Sequence, residues 1–597
     1  MRDSAPPTSL VPRMTLPADA AAALETAVLR AREERWAERL FDRDTTLWST
    51  DPEVQEAIAD RLGWLDAPAD FTDRIAALEG FGEGIRDAGF TTAIVMGMGG
   101  SSLAPEVLHG TFGTADGWLD LRILDSTDPA AVRSLLEAVD PLATLFIVAS
   151  KSGTTTEPLS FQAVAWNAVD RALDERGADQ SPGTLFAAIT DPGRSVEAIP
   201  HHDALREVFL NPPDVGGRYS ALTYVGLVPA SLIGLDLDAL LASGSTMLAA
   251  CRQPDPDANP GVALGLAIGT LAAAGRDKLT FVLDPEISSF GSWAEQLIAE
   301  STGKHGVGIV PIDLEPLGSV DAYGPDRVFV RIAVAGSPGP QPAEGGRAAD
   351  TLVDELAARG QPVIRIDLAD PMDVAAEFVR WQVATAIAGA VLGIDPFDQP
   401  NVEEAKELTR ELLARAEAGD ETGAVEPPLA AENGVALHGD TVLRLTAGDR
   451  TFVGELGRHL ARMRPNAYLA IQAFIASSPA RDEALASLRV LLRDATGRAT
   501  TAGYGPRFLH STGQLHKGGA PIGWFLQLTA DHPNDLEIPG WPYTFGGLID
   551  AQAAGDFAAI ESHDLPILRV HLGPDPAAGL GILERALAAA LSQATEA

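Results

Sequence analysis

Thr144-Leu145-Phe146-Ile147-Val148-Ala149-Ser150-Lys151-Ser152-Gly153-Thr154-Thr155-Thr156-Glu157 is a short apolar run that stops abruptly in small polar residues. An apolar run without alternation suits a strand covered on both faces, as in a parallel sheet flanked by helices. The same join recurs three times. Thr92–Met96 runs into Gly97-Met98-Gly99-Gly100-Ser101-Ser102, Leu121–Leu124 into Asp125-Ser126-Thr127-Asp128-Pro129, and Leu185–Ile189 into Thr190-Asp191-Pro192-Gly193. A helical pattern follows each. The alternation predicts an α/β fold with a doubly wound parallel sheet, its loops gathered at the strand C-termini where ligands bind.

Working outward, residues 1–15 carry Asp3, Pro6, Pro7 and Pro12 without an apolar run, so a mobile start is expected and not a signal peptide. Residues 16–90 read as a helical region: Ala- and Leu-rich amphipathic stretches are broken by Ser49-Thr50-Asp51-Pro52 and by the Asp66–Asp70 turn. The first α/β domain is expected over 91–255. A second set of strands, Leu279–Leu283, Val328–Val334 and Val363–Ile366, predicts a second α/β domain over 256–415, with a Pro/Gly loop at 336–348. A Gly/Glu/Pro linker at 415–435 leads into a C-terminal α/β extension, 430–597, with strands near Ala467–Ile471, Trp524–Thr529 and Ile567–Val570.

Across 597 residues, 83 acidic and 44 basic side chains leave a formal charge of −39. That balance argues against non-specific binding to nucleic acid or an anionic membrane, both of which need a basic face. An anionic substrate would need local positive potential from particular Arg or Lys residues and from helix N-termini. Cys251 is the only cysteine, which excludes an intrachain disulfide and fits a reducing compartment. The longest apolar stretches, Val262–Ala274 and Val383–Ile394, are interrupted by glycine and too short for a membrane span. A soluble, cytoplasmic protein is expected. Only five of the 44 basic residues are lysines, and Lys151, Lys304, Lys406 and Lys517 lie in short polar or glycine-rich clusters. A compact ammonium does what a planar guanidinium cannot, so these clusters are candidate sites, while Lys278 stands apart.

Four motifs bear chemistry. Ser150–Glu157 has five hydroxyls, a lysine and a glycine directly after a buried strand. Ser/Thr followed by Glu157 also resembles a capping box, but a cap needs one hydroxyl, and a dianionic phosphate uses many donors. The glycines of Met96–Ser102 let backbone N–H groups approach a phosphate or polyhydroxyl ligand. A nucleotide-binding Gly-x-Gly-x-x-Gly would require glycine where Ser102 stands. Gly216-Gly217-Arg218-Tyr219-Ser220 places an arginine after two glycines, as a salt-bridge partner or an anion ligand. Trp293–Gly303 reads as an amphipathic helix with Glu300 in its last turn, where the helix dipole disfavours a carboxylate. Glu300 is therefore paired, with Lys304 at i+4 the candidate partner, or held as a catalytic base.

Gly97–Ser101, Ser150–Glu157, Gly217–Ser220, Glu300–Lys304 and Pro396–Lys406 stand in the order and context of the glucose-6-phosphate isomerase family. The resemblance covers roughly residues 40–410. It is strongest to the isomerase half of transaldolase/glucose-6-phosphate isomerase fusions, here expected without a preceding transaldolase portion. It implies two sugar-isomerase-type domains and reversible aldose–ketose interconversion of glucose 6-phosphate and fructose 6-phosphate, with no metal or redox cofactor. By the same resemblance, Gly100, Ser101, Ser150, Ser152, Thr154 and Thr155 would hold the sugar and its phosphate, with Lys151 nearby. Glu300 would move a proton between C2 and C1, and Arg218 would stabilise the cis-enediolate. Gln399 and Lys406 would contact the sugar phosphate, Lys406 also assisting ring opening.

The family also uses a histidine for ring opening, in an interval between the glutamate and lysine motifs that is empty in this chain. A matching motif follows Lys406 instead, at His510-Ser511-Thr512-Gly513-Gln514. The expectation is that the C-terminal region delivers His510 to the site, with His516 as the rival. In the family the histidine comes from the second subunit of a dimer. A homodimer is therefore possible here, but a histidine supplied within the chain would allow an active monomer. The alternatives are isomerisation of mannose 6-phosphate or an amino sugar phosphate, and a non-catalytic phosphosugar-binding module. A separate activity of the C-terminal unit finds no motif in its support.

Overall fold

The computed structural model describes residues 10–340, 348–417, 427–446, 448 and 450–596. Parts of the expected mobile start (1–9), of the 336–348 loop (341–347) and of the 415–435 linker (418–426) lie outside the described residues. Among the described residues sixteen strands occur: β1 (Arg13–Thr15), β2 (Thr92–Gly97), β3 (Asp120–Leu124), β4 (Thr144–Ala149), β5 (Phe186–Thr190), β6 (Glu207–Leu210), β7 (Lys278–Leu283), β8 (Val310–Ile312), β9 (Arg327–Val334), β10 (Val363–Leu368), β11 (Ala430–Glu432), β12 (Val435–Gly439), β13 (Tyr468–Phe474), β14 (Ala499–Tyr504), β15 (Gly523–Thr529) and β16 (Ile567–His571). They form three sheets.

The first sheet is wholly parallel in the order β3-β2-β4-β5-β6. β2 and β4 are buried along their whole length, the condition their unbroken apolar runs imply. The chain reverses its winding between these two neighbours, so the loops after β2 and β4 open into one crevice at the topological switch point. The second sheet, β1-β10-β9-β7-β8, is parallel except for β1. Residues 13–15, expected to be mobile, instead pair antiparallel with β10, and the Leu10 carbonyl accepts from Arg380 at 3.0 Å. A main-chain ladder on an otherwise open sheet edge outweighs the weak local signal of a proline-rich start.

Helices Pro260–Ala273 and Val374–Leu392 explain the two long apolar stretches. They lie against each other, and a side chain at Gly265 would meet the Ala384 carbonyl oxygen at 2.4 Å. The glycines permit close helix packing inside the protein. No helix among the described residues is long and apolar enough to cross a membrane.

The C-terminal sheet, β11-β12-β16-β15-β13-β14, has a parallel centre with two antiparallel strands at one edge. It has its own apolar core around Leu469, Ile471, Leu526 and Leu568. A separate cluster fuses it to the second sheet: Ala299, Val310 and Ile312 pack with Tyr468, Leu515, Phe525 and Ile567. Ala299 is the neighbour of Glu300, so the C-terminal domain docks directly on the helix that carries that carboxylate. Lys517 lies within this domain. Its ammonium meets Asp556 at 2.9 Å with both side chains wholly buried. Removing one partner leaves an uncompensated buried charge, so Lys517→Met is expected to destabilise the protein by about 3–5 kcal/mol, read as a lowered denaturant midpoint.

Candidate active site

The crevice between β2 and β4 is assembled from both halves of the chain. β2 leads through Gly99, at φ +57°, into helix Gly100–Phe112. A side chain at Gly100 would collide with the Gly217 carbonyl oxygen at 2.1 Å, and one at Gly99 with the Gln296 amide at 2.7 Å and the His510 carbonyl at 2.9 Å. Glycine is required here because the loop after β2, the Arg218 turn, the Glu300 helix and the His510 turn converge on one point. Ser101 lies in the first turn of the helix.

β4 leads into the hydroxyl loop. Ser150 Oγ lies 3.0 Å from Thr155 Oγ1 and Ser152 Oγ 2.9 Å from Thr154 Oγ1. The following helix, Thr156–Arg176, starts without any side-chain cap bond. The capping-box reading therefore does not hold: the hydroxyls cluster with one another at a helix N-terminus, where the helix dipole favours an anion. A cavity of about 290 Å³ adjoins them, lined by Ser152, Thr154, Thr155, Glu157, Lys406, Arg410, His510 and Gln552 among others. Lys151 is not among the lining residues. Its ammonium holds Asp191 Oδ2 at 2.6 Å and the Pro213 carbonyl at 2.8 Å, so it braces the loop from outside the cavity and does not face a ligand there.

Glu300 is paired, but with Arg218 and not with Lys304. Arg218 Nη1 lies 3.2 Å from Glu300 Oε1 and donates to Gln399 Oε1 at 3.0 Å; Nε donates to Ser301 Oγ at 2.7 Å, and Nη2 to the carbonyls of Pro396 and Asp398 at 2.9 and 3.0 Å. Helix Phe290–Thr302 stops before Gly303, so residue 304 is not at i+4 on a helical face. Lys304 turns instead to the 395–398 turn, donating to the Asp395 carbonyl at 2.6 Å and pairing with the Asp398 carboxylate. Burial, followed by repulsion from Arg218, pushes its pKa down to about 8.

His510 sits on a short turn, Arg507–His510, that Arg507 ties to Glu106 and, at 3.3 Å, to Asp125 of the first domain. Its Nε2 lies 3.2 Å from Glu157 Oε1, and its carbonyl accepts from Gln296 Nε2 at 2.7 Å. The same Gln296 amide donates to Glu300 Oε2 at 3.1 Å. The rival His516 is buried beside Tyr468, Phe508 and Phe525, and burial drives its pKa well below the ordinary value. It does not line the cavity. Lys406 does, half-exposed on helix Val402–Glu417, its ammonium 2.9 Å from Glu403 Oε1. Sequence reasoning missed Glu157 as a partner of His510, and it missed Gln296 and Gln552. The spacing of Glu157 to the hydroxyls offered only a capping box as a role for that carboxylate, and a helical glutamine carries no signal of its own.

The sequence profile of the phosphoglucose isomerase family matches residues 20–310. A glucose-6-phosphate isomerase of Rubrobacter xylanophilus is 30% identical over 404 residues, covering 61% of this chain and 91% of that protein. The chain belongs to the phosphoglucose isomerase family. A probable glucose-6-phosphate isomerase of Natronomonas pharaonis is 31% identical over 355 residues, 54% of this chain and 78% of that protein. Among solved structures, a hypothetical protein from Thermus thermophilus superposes with a TM-score of 0.54 at 26% identity, covering 67% of this chain and 100% of that one. A glucose-6-phosphate isomerase from Chlamydia trachomatis shares the fold, with a TM-score of 0.51 at 20% identity over 68% of this chain and 88% of that chain.

The Glu157–His510 pair has a stability signature. Burial pushes the Glu157 carboxyl up, but the charge and hydrogen bond of His510, with a backbone hydrogen bond and the charge of Lys406, together hold the group below its ordinary value of 4.5. A depressed carboxyl contributes stability that is present above the unfolded value and is lost as pH falls through the folded one. The wild type is therefore expected to lose stability on acidification below about pH 4.5, and Glu157→Gln to show a shallower slope there. Denaturant midpoints measured across pH check this.

Proposed function

We propose that this chain interconverts glucose 6-phosphate and fructose 6-phosphate, opening the sugar ring and passing a proton between C2 and C1 through a cis-enediolate. The observation that carries this reading is the Gln296 amide, which holds Glu300 and the His510 backbone together from one nitrogen. In this reading the Glu300–Arg218 pair and the His510–Glu157 pair beside the hydroxyl-lined cavity belong to one site.

In this reading the substrate phosphate is held by Ser150, Ser152, Thr154 and Thr155 at the N-terminus of helix Thr156–Arg176, with Gly100 and Ser101 meeting the sugar. His510, its imidazole held by Glu157, protonates the ring oxygen while solvent water takes the proton of the C1 hydroxyl, so that the C1–ring-oxygen bond breaks and the carbonyl forms. Lys406 adds positive charge at the cavity wall. Glu300 then removes the C2 proton and returns it to C1, while the hydroxyl proton of O2 passes to O1 at the enediolate stage. General acid–base catalysis of this kind contributes about two to four powers of ten in rate. Arg218, whose Nη1 meets both Glu300 and Gln399, stabilises the charge that develops on the enediolate oxygen, worth about two to three further powers of ten. Gln399 is held in place by Arg218 and presents its remaining N–H groups to the substrate.

Solvent-exchange measurement at C2 tests the central step. Glu300→Gln is expected to lose at least about three powers of ten in proton–deuterium exchange, within the range of a lost general base. Exchange at the wild-type rate would remove Glu300 from the role. The reading extends to a cytoplasmic enzyme and, because His510 reaches the crevice within one chain, to a site that is complete in a monomer. Sedimentation coupled to activity is expected to find turnover in the monomer peak; activity confined to a dimer would overturn that extension.

A further inference from the structure

The C-terminal domain sends a second side chain to the same carboxylate. Gln552 lies on helix Phe545–Ser562, buried, and its Nε2 donates to Glu157 Oε1 at 2.8 Å. Its Oε1 accepts from Thr127 Oγ1 at 2.7 Å. Thr127 is wholly buried in the loop after β3, so the amide bridges that loop and the first turn of helix Thr156–Arg176 from the C-terminal domain. The arrangement fixes which end of the amide faces which partner. A flipped amide would set its oxygen against the Glu157 carboxylate, and no N–H would remain to satisfy that oxygen.

Glu157 Oε1 thus receives two donors, Gln552 Nε2 and His510 Nε2. We infer that Gln552 is a positioning residue for ring opening: it locks the Glu157 carboxylate in the rotamer that holds His510 and draws charge from the oxygen that His510 uses. The inference rests on the proposed role of His510. A carboxylate in a buried setting without its second donor is free to rotate off the imidazole, and its full charge then falls on whichever donor remains. The reaction of an open-chain substrate, which bypasses ring opening, has no use for the His510–Glu157 pair. The two phases of the reaction therefore separate the effect of Gln552 from a general loss of structure.

The test compares Gln552→Leu, which keeps the bulk and removes the amide, with Thr127→Val, which leaves Gln552 in place but removes the hydroxyl that orients it. On closed-ring glucose 6-phosphate, Gln552→Leu is expected to lower kcat/KM about 10- to 100-fold, the scale of one charge-assisted hydrogen bond. On an open-chain substrate analogue the loss should stay within a few-fold. The pH profile of the closed-ring reaction should shift, because the carboxylate that faces His510 is no longer held by the amide. Thr127→Val should show the same pattern at smaller amplitude, which keeps the test available if Gln552→Leu does not fold. Equal losses on both substrates with an unmoved pH profile, or an unchanged closed-ring rate, would overturn the inference. His510→Ala in the same assays separates the two levels. If it leaves the closed-ring rate intact, the parent reading fails; if it slows that rate while Gln552→Leu and Thr127→Val do not, only the positioning role fails.

Discussion

Arg218 is the joint of this molecule. A guanidinium has five N–H donors in a rigid plane and cannot shed its charge, so burying it demands that nearly every donor find an acceptor. Here they reach Ser301 and Glu300 at the end of one helix, and Gln399 with the carbonyls of Pro396 and Asp398 on a separate turn. The arginine arrives from a third place, the turn following the first sheet. Its hydrogen-bond demand therefore dictates the relative placement of segments that are distant in sequence. Lys304 reinforces the same turn from the other side. The two buried cations share the Asp398 carbonyl, and their repulsion is offset by Asp395, Asp398 and Glu300 nearby.

The other half of the crevice depends on a different kind of interaction. An apolar cluster around Ala299, Leu515 and Phe525 brings the C-terminal domain onto the Glu300 helix, and polar contacts set the register. Gln514 donates to the Gly303 carbonyl at 2.9 Å and accepts from the Asn401 backbone at 2.8 Å. Burial supplies the non-directional attraction; the hydrogen bonds determine where His510 stops. A domain held only by the apolar patch could slide by about an ångström, enough to break a contact that needs hydrogen-bond reach, such as that of His510 with Glu157.

How much of this was legible in the sequence follows from the same physics. β2 and β4 were readable because burial on both faces forces continuous apolar runs. β14, written Ala-Thr-Thr-Ala-Gly-Tyr, was not: it lies at a sheet edge and carries little apolar patterning. β8 escaped because Pro311 interrupts it, which only an edge strand tolerates. The glycines and hydroxyls of the crevice were legible as clusters, and His510 through its motif. Partnerships were less so. Lys304 was assigned to Glu300 by helical spacing, but the helix ends too soon, at Thr302. Glu157 looked like a cap because its partners, His510 and Gln552, stand far along the chain. Local spacing predicts local contacts; the long-range pairs at this site are set by domain docking, which no window of sequence contains.

The scarcity of lysine acquires a practical meaning from the burial of those that remain. The side chains of Lys278, Lys304 and Lys517 are at most 1% exposed, each held by a carboxylate. Lys151 and Lys406, at 33% and 40%, are the two that meet solvent, one behind the hydroxyl loop and the other on the cavity wall. Toward an acylating reagent, the folded surface of this large protein therefore presents two side-chain amines, Lys406 on the cavity wall and Lys151 behind the hydroxyl loop. A reagent that usually scatters labels across a protein is confined here to two positions, and of these only Lys406 reports on the cavity.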